Sequence, residues 1–298
     1  MKRIAFACVS FFFITLLTQC NNAGPAATNA DSSSSLTEPV TDNFNAAANW
    51  KIGVQMWTFN HFTFAEALNK VDSAGIKSIE AYPGQKLGAG MPGEFGIGMN
   101  ADTRTKLKKL LESKGISIVA LGVISPETDK EWKQFFDLAK EFSLSYITCE
   151  PRDDQWSMVD SMAGVYGIKI AIHDHPKPNH YWSPDSVVAA AAGHPNIGSV
   201  ADVGHWARNG LNPVDCLKKL EGHVYGVHLK DIKVFDNPQA EDTAVSHGVI
   251  DFPAIFAELK RQHFTGMLSI EQESNWLNSL PDVIATKKYY EEQVAKLK

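Results

Sequence analysis

The sequence predicts a single α/β domain, a (β/α)8 barrel. Three observations predict it. Short apolar, partly β-branched runs of strand type alternate with helix-type patterns eight times between Lys51 and Lys298. Strands that alternate with helices lie parallel, and parallel strands aim their C-terminal ends at one face. Three of the runs end in histidine and acid: Ile168–Ile172 before His173-Asp174-His175, Gly198–Ala201 before Asp202-Val-Gly-His205, and Val224–Val227 before His228-Leu-Lys-Asp231. Separate stretches of chain then deliver imidazoles and carboxylates to one rim, which is how a metal site is assembled on a barrel. Finally, Trp50–Lys298 has the length of one such domain, about 250 residues.

Taken in order, Lys51–Phe59 is the first strand. Thr63–Ala74 has Phe64, Leu68 and Val71 at helix spacing and Gly75 as its stop. Ile76–Tyr82 is the second strand and carries Glu80. Pro83–Asn100, rich in Gly, Pro and Met, is long for a connection and suggests a lid or binding loop. Thr103–Lys114 is a helix ended by Gly115, and Ile116–Ile124 is the third strand. The helix Glu131–Phe142 shows an aromatic face, and the strand Tyr146–Glu150 stops at Pro151. Ser157–Tyr166 is helical up to Gly167. The fifth strand ends at His173. Ser183-Pro184 and Asn212-Pro213 are helix starts, a capping side chain followed by proline in the first turn. Ile197–Ala201 and the run ending at His228 are strands six and seven. Asp251 and Pro253 open a helix to Gln262. Gly266–Glu271 is the eighth strand, and Asn278–Lys298 closes the chain as an amphipathic helix.

The N-terminus is of another kind. Lys2 and Arg3 precede an apolar run, Ile4–Leu17, too short to span a bilayer and suited to a signal-peptide core. Leu17-Thr-Gln-Cys20 resembles a bacterial lipoprotein signal, which implies lipidation at Cys20. Gln19 stands where a small residue is usual, and an ordinary signal peptide cut near Ala23 is the alternative. Both imply export. The lipoprotein form implies a membrane anchor through the lipid alone, in the periplasm or outer membrane of a Gram-negative bacterium. Residues 21–49 are rich in Ala, Ser, Thr and Asn and read as a disordered linker ahead of the domain at 50–298. Cys149 and Cys216, the cysteines of the folded part, read as buried thiols. The net charge of −6 together with export argues against nucleic acid as a partner.

Polar residues stand at or just past the strand ends: Gln55, Glu80, Glu150, His173, His175, Asp202, His205, His228, Lys230 and Glu271. Charged groups inside apolar runs must be paired or bound to metal. Mixed carboxylate oxygen and imidazole nitrogen suits one divalent ion: Mn²⁺, Co²⁺, Zn²⁺ or Mg²⁺. No G-x-S-x-G, H-E-x-x-H or C-x-x-C occurs, and Gly88-Ala-Gly90 lacks the spacing of a dinucleotide fingerprint.

Asp202-Val-Gly-His205, then His228-Leu-Lys-Asp231, Ser246-His-Gly-Val-Ile-Asp251 and Ser269-Ile-Glu271 resemble the xylose isomerase-like TIM barrel family. That family includes sugar isomerases and epimerases, inosose dehydratases and apurinic endonucleases. The resemblance spans Trp50–Lys298 and implies a small carbohydrate substrate. It makes Asp202, His228 and Glu271 metal ligands, with Glu271 doubling as a base. It makes His205 a substrate contact and Lys230 a polar residue beside the metal histidine; with Glu80 and Gln55 at their strand ends, these are the substrate-binding candidates. Strand five departs from the pattern. Epimerases of the family resemble Lys-Ile-Ala-Leu-Glu there, whereas this chain has Lys169-Ile-Ala-Ile-His173. Glu150 is then the expected fourth ligand, with His173 as the alternative. Glu150, His173 and His175 join Glu271 as candidates for proton transfer. The resemblance implies a metal-dependent isomerase or epimerase working through an enediolate. The His-x-His pair is closer to the dehydratases and raises a lyase acting on a 3-keto-glycoside or keto-cyclitol. A non-catalytic sugar-binding lipoprotein is the third reading.

Overall fold

The computed structural model describes residues 43–297. The signal segment, Cys20 and most of the linker lie outside the described residues. Eight parallel strands close into a barrel: β1 Lys51–Gln55, β2 Ser78–Ala81, β3 Ser117–Ile124, β4 Tyr146–Cys149, β5 Lys169–His173, β6 Ile197–Asp202, β7 Val224–Leu229 and β8 Met267–Ile270. Neighbours in sequence are neighbours in the barrel, and β1 pairs with β8 to close it. The strand–helix alternation predicted from the sequence is the observed architecture.

Short-range signals set the helix ends. Thr63 and Glu66, and again Thr128 and Glu131, form reciprocal capping boxes at Phe64–Ser73 and Asp129–Glu141. Ser183, Asn212 and Asp251 cap helices that carry proline in the first turn. The amphipathic faces of these helices bury Leu68, Trp132, Phe136, Phe256 and Leu259 against the outside of the barrel. No helix among the described residues is long and apolar enough to cross a membrane.

Four local features differ from the sequence reading. The first strand stops at Gln55, and Met56–Phe59 forms a 3-10 turn because the Gln55 side chain accepts the Trp57 N–H at 3.1 Å. The Pro83–Asn100 loop contains an antiparallel hairpin, Lys86–Gly88 with Met91–Glu94. A short helix, Val203–Arg208, starts directly at the end of β6 because the Asp202 carboxylate caps it through the His205 N–H at 2.9 Å. The folded body also begins before Trp50. Asn45 caps the helix Ala46–Asn49, Ala46 is buried, and Phe44 stacks on His263 with ring centroids 5.1 Å apart. Asn43–Asn49 therefore belongs to the domain, not to the linker in which the sequence reading placed it.

Inside the barrel the two-residue strand period stacks the side chains in layers. Val119, Tyr146, Ala171, Val200 and Met267 pack together at the N-terminal end. One pleat higher in the barrel come Glu80, Thr148, His173, Asp202, His228 and Ser269, all buried. Hydrophobic packing thus gives way to ionisable groups within a single repeat.

Candidate functional site

The site is built where β5 to β8 end. Register places Asp202 beside His228 and His228 beside Ser269, so the next inward positions on β5 and after β8 bring His173 and Glu271 alongside. Ligand atoms of His173, Asp202, His228 and Glu271 all lie within 4.8 Å of one another. His228 Nδ1 is 2.9 Å from Glu271 Oε2 and 3.8 Å from Asp202 Oδ2, and His173 Nε2 is 3.8 Å from the same Asp202 oxygen. Gly204 lets the chain turn here. A Cβ at that position would stand 2.7 Å from Lys230 Cγ and 2.9 Å from its carbonyl oxygen.

Two features of these residues fit a divalent ion. Buried polar atoms are normally hydrogen-bonded, yet both ring nitrogens of His173, Asp202 Oδ2, His228 Nδ1 and Glu271 Oε2 make no hydrogen bond of acceptable geometry. These orphans converge on one place. The chemistry of the donor set, two imidazoles and two carboxylates, fits a borderline metal.

Lys230 lies under the cluster, with Nζ 2.9 Å from Asp202 Oδ2, 3.2 Å from Glu271 Oε2 and 2.9 Å from Glu273 Oε2. Burial opposes charge on Asp202, and His205 together with the Lys230 ammonium and the neighbouring imidazoles outweighs it, holding the carboxyl well below its usual range. Burial likewise opposes charge on Glu271, and Lys230 and His228 bring it down to about 2. His205 is held neutral by burial. Its Nδ1 lies 2.9 Å from Arg208 Nη1 and its Nε2 lies 3.1 Å from Lys230 Nζ, so both ring nitrogens face cationic donors. Arg208 is in turn fixed by Asp242 and by the Ala240 carbonyl.

A cavity of about 250 Å³ opens above the cluster, lined by Gln55, Trp57, Tyr82, His173, His175, His205, Glu271 and Glu273 among others. No arginine or lysine faces it. Trp57 meets Tyr82 edge-on at 5.0 Å and Trp276 at 6.5 Å, which gives the mouth an aromatic wall. His175 projects into the cavity with Nδ1 bonded to Glu150 Oε1, and Glu150 Oε2 accepts from Asn179 Nδ2 at 2.9 Å. A larger hollow of about 510 Å³ beside the hairpin is lined by one ionisable side chain, Glu94, and has no ligand cluster.

The structure thus redistributes the expected site residues. Glu150, expected as a metal ligand, commits its oxygens to His175 and Asn179, and His173 takes its place in the four-residue group. Glu80 and Lys230, expected at the substrate, are fully buried below the cluster and do not line the cavity. Gln55 lines it, but its amide is engaged with the Gly122 carbonyl and the Trp57 N–H. His205 and His175 line it: His175 uses Nδ1 on Glu150, whereas both nitrogens of His205 are engaged, by Arg208 and Lys230. Sequence reasoning missed Arg208, Asp242, Thr148 and Trp57. Only Arg208 carried a signal, its position three residues after His205 on one helical face.

The profile of the xylose isomerase-like TIM barrel family matches residues 68–298. The chain belongs to that family. An inosose dehydratase of Clostridium botulinum is 23% identical over 284 residues, covering 78% of this chain and 90% of that protein. Among solved structures of this barrel type, an uncharacterised protein from Parabacteroides distasonis superposes with a TM-score of 0.68 at 32% identity, over 82% of this chain and 99% of that one. A D-tagatose 3-epimerase-like protein superposes with a TM-score of 0.66 at 18% identity, over 83% and 98%. The family fixes the enzyme as a sugar-modifying barrel in general terms, and the last likeness shows the fold alone.

Proposed function

We propose that this chain is a divalent-metal-dependent sugar isomerase or epimerase that removes a proton from the carbon beside the sugar's carbonyl. The observation that carries the reading is the convergence, at the floor of a cavity, of buried ligand atoms of His173, Asp202, His228 and Glu271 that make no well-formed hydrogen bond. A bound cation would supply Lewis-acid polarisation of the carbonyl and a neighbouring hydroxyl. The other steps belong to the chain. Glu271 lines the cavity as an ionised carboxylate and takes the proton. His205, held between Arg208 and Lys230, lines the cavity and offers its ring to the sugar. His175 stands at the end of β5, across the barrel from β8, and Glu150 orients it as the second proton carrier. The absence of lysine and arginine from the lining favours an unphosphorylated sugar, and Trp57 and Tyr82 offer its C–H face an apolar surface.

One observation favours a second reading, a lyase. His175 lines the cavity with Nδ1 on Glu150, and an imidazole placed there can hand a proton to a departing oxygen, so the enolate can expel a β-substituent instead of being reprotonated. The named relative is a dehydratase, which is in keeping with this. The test is NMR in D₂O with free ketoses and aldoses, a keto-cyclitol and 3-keto-glycosides, with and without Mn²⁺, Co²⁺, Zn²⁺ or Mg²⁺. Metal-dependent deuterium uptake with a new epimer or isomer is the expected result. Loss of the β-substituent selects the lyase, and saturable sugar binding with no exchange under any metal overturns both. We also propose export and a lipid anchor at Cys20, on the strength of Lys2-Arg3 and the run Ile4–Leu17. Metabolic palmitate labelling that survives Cys20→Ser removes that part.

A further inference from the structure

Glu80 lies at the heart of the barrel, fully buried, with no lysine or arginine bonded to it. Three donors hold its carboxylate. Thr148 Oγ1 donates to Oε1, and Oε2 receives Ser269 Oγ at 3.3 Å and His228 Nε2 at 2.8 Å. Side chains from four strands of the barrel, β2, β4, β7 and β8, thus meet at one carboxylate. The other nitrogen of His228, Nδ1, is one of the unpartnered atoms and faces Asp202 and Glu271.

A histidine can present one bare nitrogen to a cation only if its hydrogen is kept on the other. Both His228 nitrogens have a carboxylate within reach: Glu80 at 2.8 Å on Nε2 and Glu271 at 2.9 Å on Nδ1. Left to themselves these would compete for the single hydrogen of a neutral ring. Glu80 has the better hold. Its bond to Nε2 has good geometry, whereas the Nδ1 contact with Glu271 does not qualify as a hydrogen bond. Thr148 and Ser269 leave the Glu80 carboxylate no freedom to turn away.

Building on the metal site proposed above, we infer that Glu80 is the positioning residue of the site. It keeps the hydrogen of His228 on Nε2, fixes the ring plane, and thereby makes Nδ1 the ligand atom. A carboxylate on the far nitrogen also makes the imidazole a stronger electron donor. Glu80 touches neither cavity nor substrate, so its effect reaches the reaction only through His228.

The test compares the wild-type chain with Glu80→Gln and Glu80→Leu, stripped with chelator and titrated with Mn²⁺ and Zn²⁺ by calorimetry. Each variant's folding is checked by thermal unfolding in chelator. Nitrogen-15 histidine spectra of the zinc-loaded protein report which His228 nitrogen carries hydrogen. We expect affinity to fall by about 10–100-fold in Glu80→Leu. Glu80→Gln, whose amide oxygen can still accept the Nε2 hydrogen, should recover most of that loss and keep the wild-type tautomer. If both variants bind metal within twofold of wild type, or if hydrogen sits on Nδ1 of His228 in the wild-type spectrum, the inference is wrong. A wild-type protein that binds neither metal sinks the metal site itself, a different failure.

Discussion

The two ends of the barrel interior are made from the same strands and do opposite work. At the N-terminal end, Tyr146, Val200 and Met267 form a dry plug with Val119 and Ala171, and Gly226 is there because any side chain would run into the Tyr146 hydroxyl. At the C-terminal end, His173 and Asp202, two residues further along, sit buried with His228 and with Glu271, four residues past Met267, and these side chains carry atoms without a hydrogen bond. A fold gains stability by satisfying buried polar groups, so a cluster left unsatisfied marks a place shaped for something that binds. The plug is what makes this tolerable, since it holds the strands in register beneath the cluster. Changes at the two ends should therefore separate: one set alters stability and spares the site, the other alters the site.

The largest expected effect is at the upper end. Asp202→Ala should abolish stoichiometric metal binding and lower turnover by about 10²–10³-fold, measured by metal analysis and the D₂O exchange assay. Full metal content and activity in this variant would remove the distinction between the two ends. The matching change below is Met267→Ala. It should cost about 2–5 kcal/mol of stability in denaturant unfolding, and metal affinity per folded molecule should stay within threefold of wild type. A large loss of affinity would mean that the ends are coupled.

A pH series sharpens the comparison further, because the plug has no group that titrates near neutrality. Burial works against charge on His173, but Asp202 and Glu150 outweigh it and push its pKa from 6.5 up to about 9 in the ion-free protein. A pKa raised on folding contributes stability that is complete below about 6.5 and is lost as pH rises through about 9. The shift corresponds to about 3 kcal/mol. The chelator-treated protein should thus lose stability between those pH values. Metal affinity should rise over the same window, by up to about tenfold per pH unit, because the ion displaces the His173 proton. The sign reverses for Glu271, lowered from 4.5 to about 2, whose contribution is present above 4.5 and lost as pH falls through 2. Flat stability in chelator from pH 6.5 to 9 would show that His173 is neutral throughout.

The smallest effect concerns the N-terminal helix, outside both ends. A chain starting at Asn43 should match full-length stability. One starting at Trp50 loses the Asn45 cap and the buried Ala46, about 1–2 kcal/mol, or about 2–4 °C in melting temperature. Equal melting temperatures would return Asn43–Asn49 to the linker.

The sequence by itself determined the order of elements and the barrel class, because strand period, helix period and caps such as Thr63-x-x-Glu66 act over a few residues. It also brought His173, His175, Asp202, His205, His228 and Glu271 to one rim, because parallel strands can end only there. What only the tertiary structure decided is how those side chains pair. Whether Glu150 or His173 joins the cluster depends on the stagger of β4 against β5. Whether Glu80 faces substrate or props His228 depends on how deep its strand sits when β1 meets β8. Arg208 and Asp242 find each other across 34 residues of chain. These are distances across a closed barrel, fixed by strand register and closure, and no local pattern along the chain encodes them.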